Sequence, residues 1–445
     1  MDEWINIANA NVIMESGSIT EPHPMCPEEK AQCHWFFESG LHLLLVLFKS
    51  VADISWMTVF RYLPSCIFVF TVLSVYLLGK RHGFGWEAAL WTCLIITTVG
   101  ILGPAFLVGV SVGLPFIALS LYLAYNFRTL WSYVVVFLLM TFLLALHPPT
   151  AVGLGILLLP YIVLSLKGNF RHAAGLSLSG GLPLIPALVV LDRDVIVHYL
   201  KQIYSSHPLD ENHVYPELIP EFGYIPVACC LLGLVILVRK GGKEAWGLVA
   251  GFVLLLLMLV IKSQFDYGMG ILYLRGLMYT MLVMAIIGGC GLAALKGFRL
   301  PAFLTGRIKP AFLARNAGNV LCLAVIAATF TLAIPDRQDE DFYHKIDDDD
   351  YQAFVWVEKN LGKQFAKAIV DPSQAVAFIA ITGKEVYSKI GVTNDAHARK
   401  AHRFLSSGCT DTEFLKKNGI SIVYTWRKCE NPDLTERWED VYVLE

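Results

Sequence analysis

VFRYLPSCIFVFTVLSVYLLGKR, residues 59–81, is the stretch on which the fold turns. Apart from Arg61 it is uncharged as far as Gly79, and it ends on Lys80 and Arg81. Such a run reaches across most of a hydrocarbon core roughly 30 Å thick, and basic residues at one end mark that end as cytoplasmic. Similar apolar stretches follow at 86–102, 106–126, 131–146, 151–166, 176–191, 222–238, 245–261, 276–295 and 320–335. Together they predict a polytopic α-helical membrane protein of about ten spans. The composition agrees: 56% of the 445 residues are hydrophobic and 16% charged, where soluble domains carry about 25% charged residues. A net charge of -2 leaves no basic surface to track a phosphate backbone, which argues against nucleic acid as a partner.

Lys and Arg fall in alternate connections: Lys80 and Arg81, Arg128, Lys167 and Arg171, Arg239, Lys240 and Lys243, and the set Lys296, Arg299, Arg307, Lys309 and Arg315. These corners read as cytoplasmic. The acids Asp192, Asp194, Asp210, Glu211, Glu217 and Glu221 share one long loop on the other side. The boundaries are then 1–58, an outer first loop with an interfacial helix; 59–338, a transmembrane helical domain; and 339–445, an extracytoplasmic α/β domain. An outer loop of this length usually follows a span, so one further transmembrane helix is expected before Met1.

In the first loop, FFESGLHLLLVLFKSV (36–51) is too short to cross and ends at Lys49, so it is expected to lie at the membrane interface. The opening helix carries Ile5, Ala8, Val12 and Ile13 on one face, with Asp2 and Glu3 at its start. Acids in a first turn complement the helix dipole; adjacent carboxylates can also bind a divalent metal or take a proton. In the tail, AKAIVD, KEVYSKI, ISIVYTW and DVYVLE read as strands. YQAFVWVEKNL, a segment from Pro372 to Gly383, DAHARKAHRFL and TEFLKKNG read as helices. Asp347 to Asp350 lack the Gly and distal Glu of a calcium loop and are expected to cap the first of these helices. Asp371, at a strand's carboxyl end beside a helix start, stands where α/β domains bind ligands.

Cys66, Cys93, Cys229, Cys230, Cys290 and Cys322 fall in spans and read as packing residues. The other four permit two local disulfides, Cys26 with Cys33 and Cys409 with Cys429. A metal site from Cys26, Cys33, His23 and His34 is the alternative for the first pair, though the spacing matches no zinc pattern. His147, in LHPPT at an outward span end, and Arg275, at the outward start of RGLMYTMLV, are candidates for contacting a lipid phosphate. Arg grips such a group bidentately; the alternatives are snorkelling to the headgroups for Arg275 and, for His147, a role as base or a plain bond to a backbone carbonyl at the helix end.

The order DEWINIANANVIMESGSI (2–19), FFESGLHLLLVLFKSV, VFRYLPSCIFVFTVLSVYLLGKR resembles the start of the GT-C superfamily of multi-span glycosyltransferases. The matching residues are Asp2, Glu3, Gly40, His42, Arg61 and Pro64. LALHPPTAVGLG (144–155), LYLRGLMYTMLVMAIIGGCGLAAL (272–295) and the tail segments YQAFVWVEKN, IVDPSQAVAFIAITGKEVYS and FLKKNGISIVY are similar to stretches in prokaryotic members. The resemblance implies an enzyme of the plasma membrane. It would take a sugar from a polyprenyl-phosphate or -diphosphate carrier on the extracytoplasmic face and pass it to a protein, lipid or glycan acceptor. It implies Asp2 as the catalytic carboxylate, general base or metal ligand, with Glu3 beside it as second ligand to the divalent metal, Mg or Mn, that often accompanies such an acid; His42 is among the matching pieces, and His147 and Arg275 are the further substrate-contacting candidates that the residues themselves offer. It also implies a span before the first loop. Two departures point away from the oligosaccharyltransferase branch and its transfer to asparagine. The connection GPAF is too short for that branch's second acidic motif, and the tail holds no sequon-reading tryptophan-aspartate motif. The rival expectations are a transporter or flippase of lipid-linked glycans, which would place charges deep in its spans, and a non-catalytic scaffold displaying the tail.

Overall fold

The computed structural model describes residues 2–19, 38–95, 106–186, 197, 219, 222–268, 270–299, 316–338, 346–388 and 395–444. Cys26, Cys33, His23, His34, Asp192 and Asp194 lie outside them, as does the GPAF connection apart from Phe106. The chain divides into two units. One joins residues 1–56 to 341–445; the other is 57–340.

Among the described residues the larger unit is built of helices: α3 (Trp56–Lys80, whose first residue belongs to the other unit), α4 (Gly85–Leu94), α5 (Gly109–Asn126), α6 (Leu130–Leu146), α7 (Pro148–Leu166), α8 (Phe170–Gly181), α9 (Tyr224–Lys240), α10 (Lys243–Phe265), α11 (Gly270–Lys296) and α12 (Ala317–Gln338). Among the described residues five helices are long and apolar enough to cross a membrane: α3, α5, α7, α10 and α11. The expectation of about ten spans thus meets shorter helices at several positions. The stretch expected at 176–191 is a helix that starts earlier, at Phe170, and ends at Gly181, before the apolar run is over. The stretch at 86–102 is described as a helix only to Leu94. Helix α6 stops at 17 residues because Pro148 disfavours a helical residue before it, and the same proline opens α7.

Helix α11 is the centre of this unit; 89% of its apolar window is buried, against 33% for α3. Leu73, Leu138, Val163, Leu231, Leu257 and Leu323 point outward from their helices, as a lipid-facing surface requires. Cys229, Cys230, Cys290 and Cys322 are buried as expected, whereas Cys66 and Cys93 are exposed. The basic corners gather at one edge. Lys240 Nζ donates to the His82 carbonyl (3.2 Å), Lys296 Nζ donates to Glu87 Oε1 (3.0 Å), and Lys243 stands against Gly168.

In the smaller unit α1 (Asp2–Ser16) packs against α2 (Ser39–Ala52) and against a tail helix, α14 (Ala375–Thr382). The tail begins with α13 (Asp348–Asn360), capped by the expected acids: Asp347 Oδ1 accepts from the amides of Asp349 and Asp350, and Asp350 Oδ2 accepts from the Asp347 amide. Then come β1 (Lys367–Ile369), α14, β2 (Glu385–Val386), α15 (Asp395–Ser406), α16 (Thr412–Lys417), β3 (Ile422–Tyr424), β4 (Leu434–Trp438) and β5 (Val441–Leu444). Gly383 closes α14 at φ 64°, a conformation only glycine adopts freely.

The five strands form one sheet in the order β2-β1-β3-β5-β4, with β2, β1 and β3 parallel and the last three antiparallel. Side chains alternate across it. Ile369 and Val423 join Ala401, Phe404, Leu405 and Leu415 on one face. On the other, Tyr424 meets Phe354, which in turn meets Phe378, edge to face. Strand β4 was not expected: LTERW is exposed along nearly its whole length and offers no apolar alternation to read. The Cys409–Cys429 disulfide is present.

Candidate active site

The opening helix is part of a core. Residues 6–10 of α1 are all buried, which corrects the expected apolar face at Ile5, Ala8, Val12 and Ile13: the buried run includes two amides, Asn6 and Asn9. Both meet His42 of α2, whose Nε2 lies 3.1 Å from Asn6 Oδ1 and 3.4 Å from Asn9 Nδ2. His42 is 5% exposed, so it is a buried pin between the two helices. Buried polar groups persist where they find partners, and this set fixes how α1 rotates against α2. A third amide, Asn11, accepts at Oδ1 from Trp56 Nε1 (2.8 Å) and donates from Nδ2 to the carbonyl of Ala380 in α14 (3.1 Å). In the sequence all three show only as the amide series Asn6, Asn9, Asn11 in NIANAN, with nothing to name their partners. Positions 2, 6 and 9 follow one stripe of the helix, and positions 3, 7 and 10 its neighbour. The backbone positions of both acids therefore continue stripes that are buried further along.

Within the larger unit the structure brings two expected residues to one end. His147 is the hinge at which α6 ends and α7 begins. Its Nδ1 lies 2.7 Å from Thr150 Oγ1, and that hydroxyl lies 3.0 Å from the hydroxyl of Tyr279 on α11. His147, Thr150 and Tyr279 are all buried. Arg275 stands one helical turn before Tyr279 on the same stripe of α11, half-buried. Three glycines make this packing possible. An added methyl at Gly109 would meet the His147 ring, one at Gly113 would meet Thr150, and one at Gly153 would meet the Tyr279 ring. Gly109 and Gly113 form the small-xxx-small spacing by which helices approach closely in lipid. Thr150 and Tyr279 were not singled out in the sequence. Nearby in sequence, Lys262 is buried and pairs with Asp266 at 3.8 Å.

No family model matches the sequence, and no curated protein matches it. Solved structures do. The archaeal oligosaccharyltransferase AglB from Archaeoglobus fulgidus, in complex with an inhibitory peptide and a dolichol-phosphate, matches with a TM-score of 0.62 at 13% identity, over 95% of this chain and 65% of that one. The apo form of the Archaeoglobus fulgidus oligosaccharyltransferase matches equally well, at 12% identity over the same shares. Its complex with Zn and sulfate gives 0.61 at 14% identity, over 95% of this chain and 63% of that one.

The fold is that of AglB. At 12–14% identity the likeness is one of fold, which is the level at which the resemblance read in the sequence is met. A multi-pass membrane protein follows from the apolar helices and this fold together. The chain spans just under two thirds of the length of these AglB structures.

Proposed function

We propose that the protein is a membrane glycosyltransferase that moves a sugar from a polyprenyl-phosphate or -diphosphate carrier to a protein, lipid or glycan acceptor on the extracytoplasmic face of the plasma membrane. The observation that carries this reading is the acid-headed α1, pinned through Asn6, Asn9 and Asn11 to α2, Trp56 and α14, in a chain with the AglB fold. Solved AglB complexes hold a dolichol-phosphate and peptides, ligands of the kinds proposed here.

In this reading the acceptor nucleophile attacks the anomeric carbon, the carbon–oxygen bond to phosphate breaks, and the carrier phosphate leaves with the bonding electrons. Asp2 takes the acceptor's proton as general base, and Glu3 assists it. Arg275 holds the carrier phosphate, with His147 beside it in the same layer, and His42 acts on substrate through the placement of α1.

Asp2 and Glu3 also suit a divalent cation. Two neighbouring carboxylates in sequence supply hard oxygen donors. Such a pair fits Mg2+ or Mn2+, since Mg2+ keeps several waters and takes one or two carboxylates plus substrate phosphate. Such an ion would offset the charge of the leaving phosphate.

The test is complementation of a deletion strain, read by mass spectrometry of surface glycans. Asp2→Asn should lower the restored glycan at least ~100-fold while the purified protein keeps its helical content and monodispersity. Full restoration by that variant removes the assignment. Sidedness is tested separately, with Ser18→Cys in intact cells: labelling by a membrane-impermeant maleimide is expected, and a need for a permeant reagent would put α1 on the wrong face.

A further inference from the structure

The tail holds a cavity that the transfer reaction does not use. It has a volume of about 250 Å3 and is lined by Asp371 and Gln374 after β1, by Tyr424 at the end of β3 with Thr425, Trp426 and Arg427 after it, and by His402, Leu405 and Ser406 of α15. Its place in the sheet is significant. From β1 the chain crosses to β2 on one side, then returns past β1 to β3 on the other. The carboxyl ends of β1 and β3 therefore flank a topological switch point, the crevice in which open α/β sheets bind ligands.

The lining narrows the ligand's chemistry. Trp426 is 72% exposed and offers a large flat apolar face at the cavity. Its indole is steadied by the Arg427 guanidinium, 4.8 Å from the ring centroid. Asp371 Oδ2 lies 3.5 Å from His402 Nδ1 at the other side of the cavity, while Asp371 Oδ1 accepts from the Ser373 amide and hydroxyl. The Asp371 carboxylate thus stands in the turn that leads into α14, and an anion placed there would meet like charge. A purely apolar ligand would strip water from Asp371, His402 and Arg427 with nothing in exchange.

A neutral polyhydroxyl ring avoids both costs. Each hydroxyl both donates and accepts, so it serves Asp371 as well as His402 and Arg427, and the ring's C–H face lies on the indole. The volume falls just under the ~300–1,000 Å3 of pockets for drug-sized ligands, which is room for one ring.

The walls are held from behind. The Tyr424 hydroxyl and Gln374 Nε2 both donate to Asp350 Oδ1. Burial and that carboxylate push the Tyr424 phenol well above its ordinary range, so it stays protonated and keeps the bond.

From this convergence we infer that the tail unit binds a single pyranose unit in the cleft between Asp371, His402 and Trp426, independently of catalysis at α1. The experiment uses the full chain in lipid nanodiscs, avoiding sugar-headed detergents, and saturation-transfer NMR with methyl glucoside, methyl galactoside, methyl mannoside, N-acetylglucosamine and glucuronate as probes. At least one neutral sugar should receive saturation on the ring protons of one face. Trp426→Ala should abolish the transfer at least tenfold, Trp426→Phe should keep most of it, and Asp371→Asn should weaken it. Because Trp426 is exposed, its replacement leaves the fold in place, as the unfolding temperature of each variant would verify. Absence of transfer to every sugar, an unchanged signal in Trp426→Ala, a preference for glucuronate over the neutral sugars, or displacement of the sugar by acceptor peptide alone would each overturn the inference. Asp2→Asn should not alter the binding, which separates this test from that of the transferase reading.

Discussion

The membrane unit and the unit built from the opening helices and the tail are held together by opposite means. In lipid no hydrophobic force drives helix onto helix, and association depends on close packing. Helix α11 accordingly presents Gly288 to the Trp91 indole, Gly289 to Ala88 and Gly291 to the Cys229 carbonyl, while Gly233 of α9 lies against the carbonyl of Ile287. In the other unit the cohesion is that of a water-soluble domain: an apolar layer on each face of the sheet, a capping box, a disulfide and buried amides. Equal insults should therefore act differently in the two. A single methyl is ruinous in the first and a lost cross-link or polar partner is costly in the second.

The harshest trial of the contrast is Gly233→Ala. Its added methyl would overlap the Ile287 carbonyl, a backbone atom that no rotamer change can move. Overpacking ordinarily costs about 1–3 kcal/mol, and a backbone-to-backbone overlap belongs at or above the top of that range. Thermal unfolding of the purified protein should show a large loss, with aggregation on heating. An unchanged transition would mean that α9 and α11 can separate freely, and the glycine account would fall.

Removing the cross-link asks the converse question. Cys409→Ser with Cys429→Ser opens a 20-residue loop, worth about 3 kcal/mol by loop-closure entropy. Hydrogen exchange should quicken across 395–444 and stay as it was in 57–340. Uniform acceleration would show that the two units unfold as one. His42→Ala should come next, at about 1–3 kcal/mol, because Asn6 and Asn9 would lose a buried partner. Exchange should quicken in α1, and the transferase reading adds that glycan output should fall with it.

What could be read from the sequence follows the same division. The tail declared itself: AKAIVD, ISIVYTW and DVYVLE alternate or run apolar between turn residues, Gly383 and Gly419 stop helices, and Asp347 caps one. Short-range chemistry fixes such elements, so they are legible. Strand β4 is an edge whose pairing comes entirely from β5, and LTERW has no pattern of its own. The count of about ten spans is not confirmed among the described residues for a related reason: hydropathy registers oiliness, whereas a helix such as α6 ends at Leu146, just before Pro148, for backbone reasons. At the candidate site the acids, His42, His147 and Arg275 stood out by type. Their partners Asn6, Asn9, Thr150 and Tyr279 did not, because an amide or hydroxyl in an apolar run looks like noise until the helix it faces is known. The joining of the first loop to the tail, through Asn11 and Ala380, spans 369 positions and left no local trace.

The mildest test concerns Asp440, in the tight turn between β4 and β5. Its φ is 62°, a left-handed conformation that Asn tolerates as well as Asp. Burial first, and then Glu439, Glu436 and Asp350, raise its carboxyl above the ordinary value. The folded chain therefore holds this proton more tightly than the unfolded chain, so the residue's contribution to stability declines as pH rises through and above the usual carboxylate range. Asp440→Asn removes the charge and keeps the turn. At neutral pH it should stabilise the tail by about 0.2–1 kcal/mol, the scale of like-charge relief between neighbouring strand positions. That gain should vanish as pH falls below the carboxylate range, where aspartate and asparagine are both neutral. A gain that persists at low pH would instead belong to backbone preference at position 440, and electrostatics would drop out of the account of this turn.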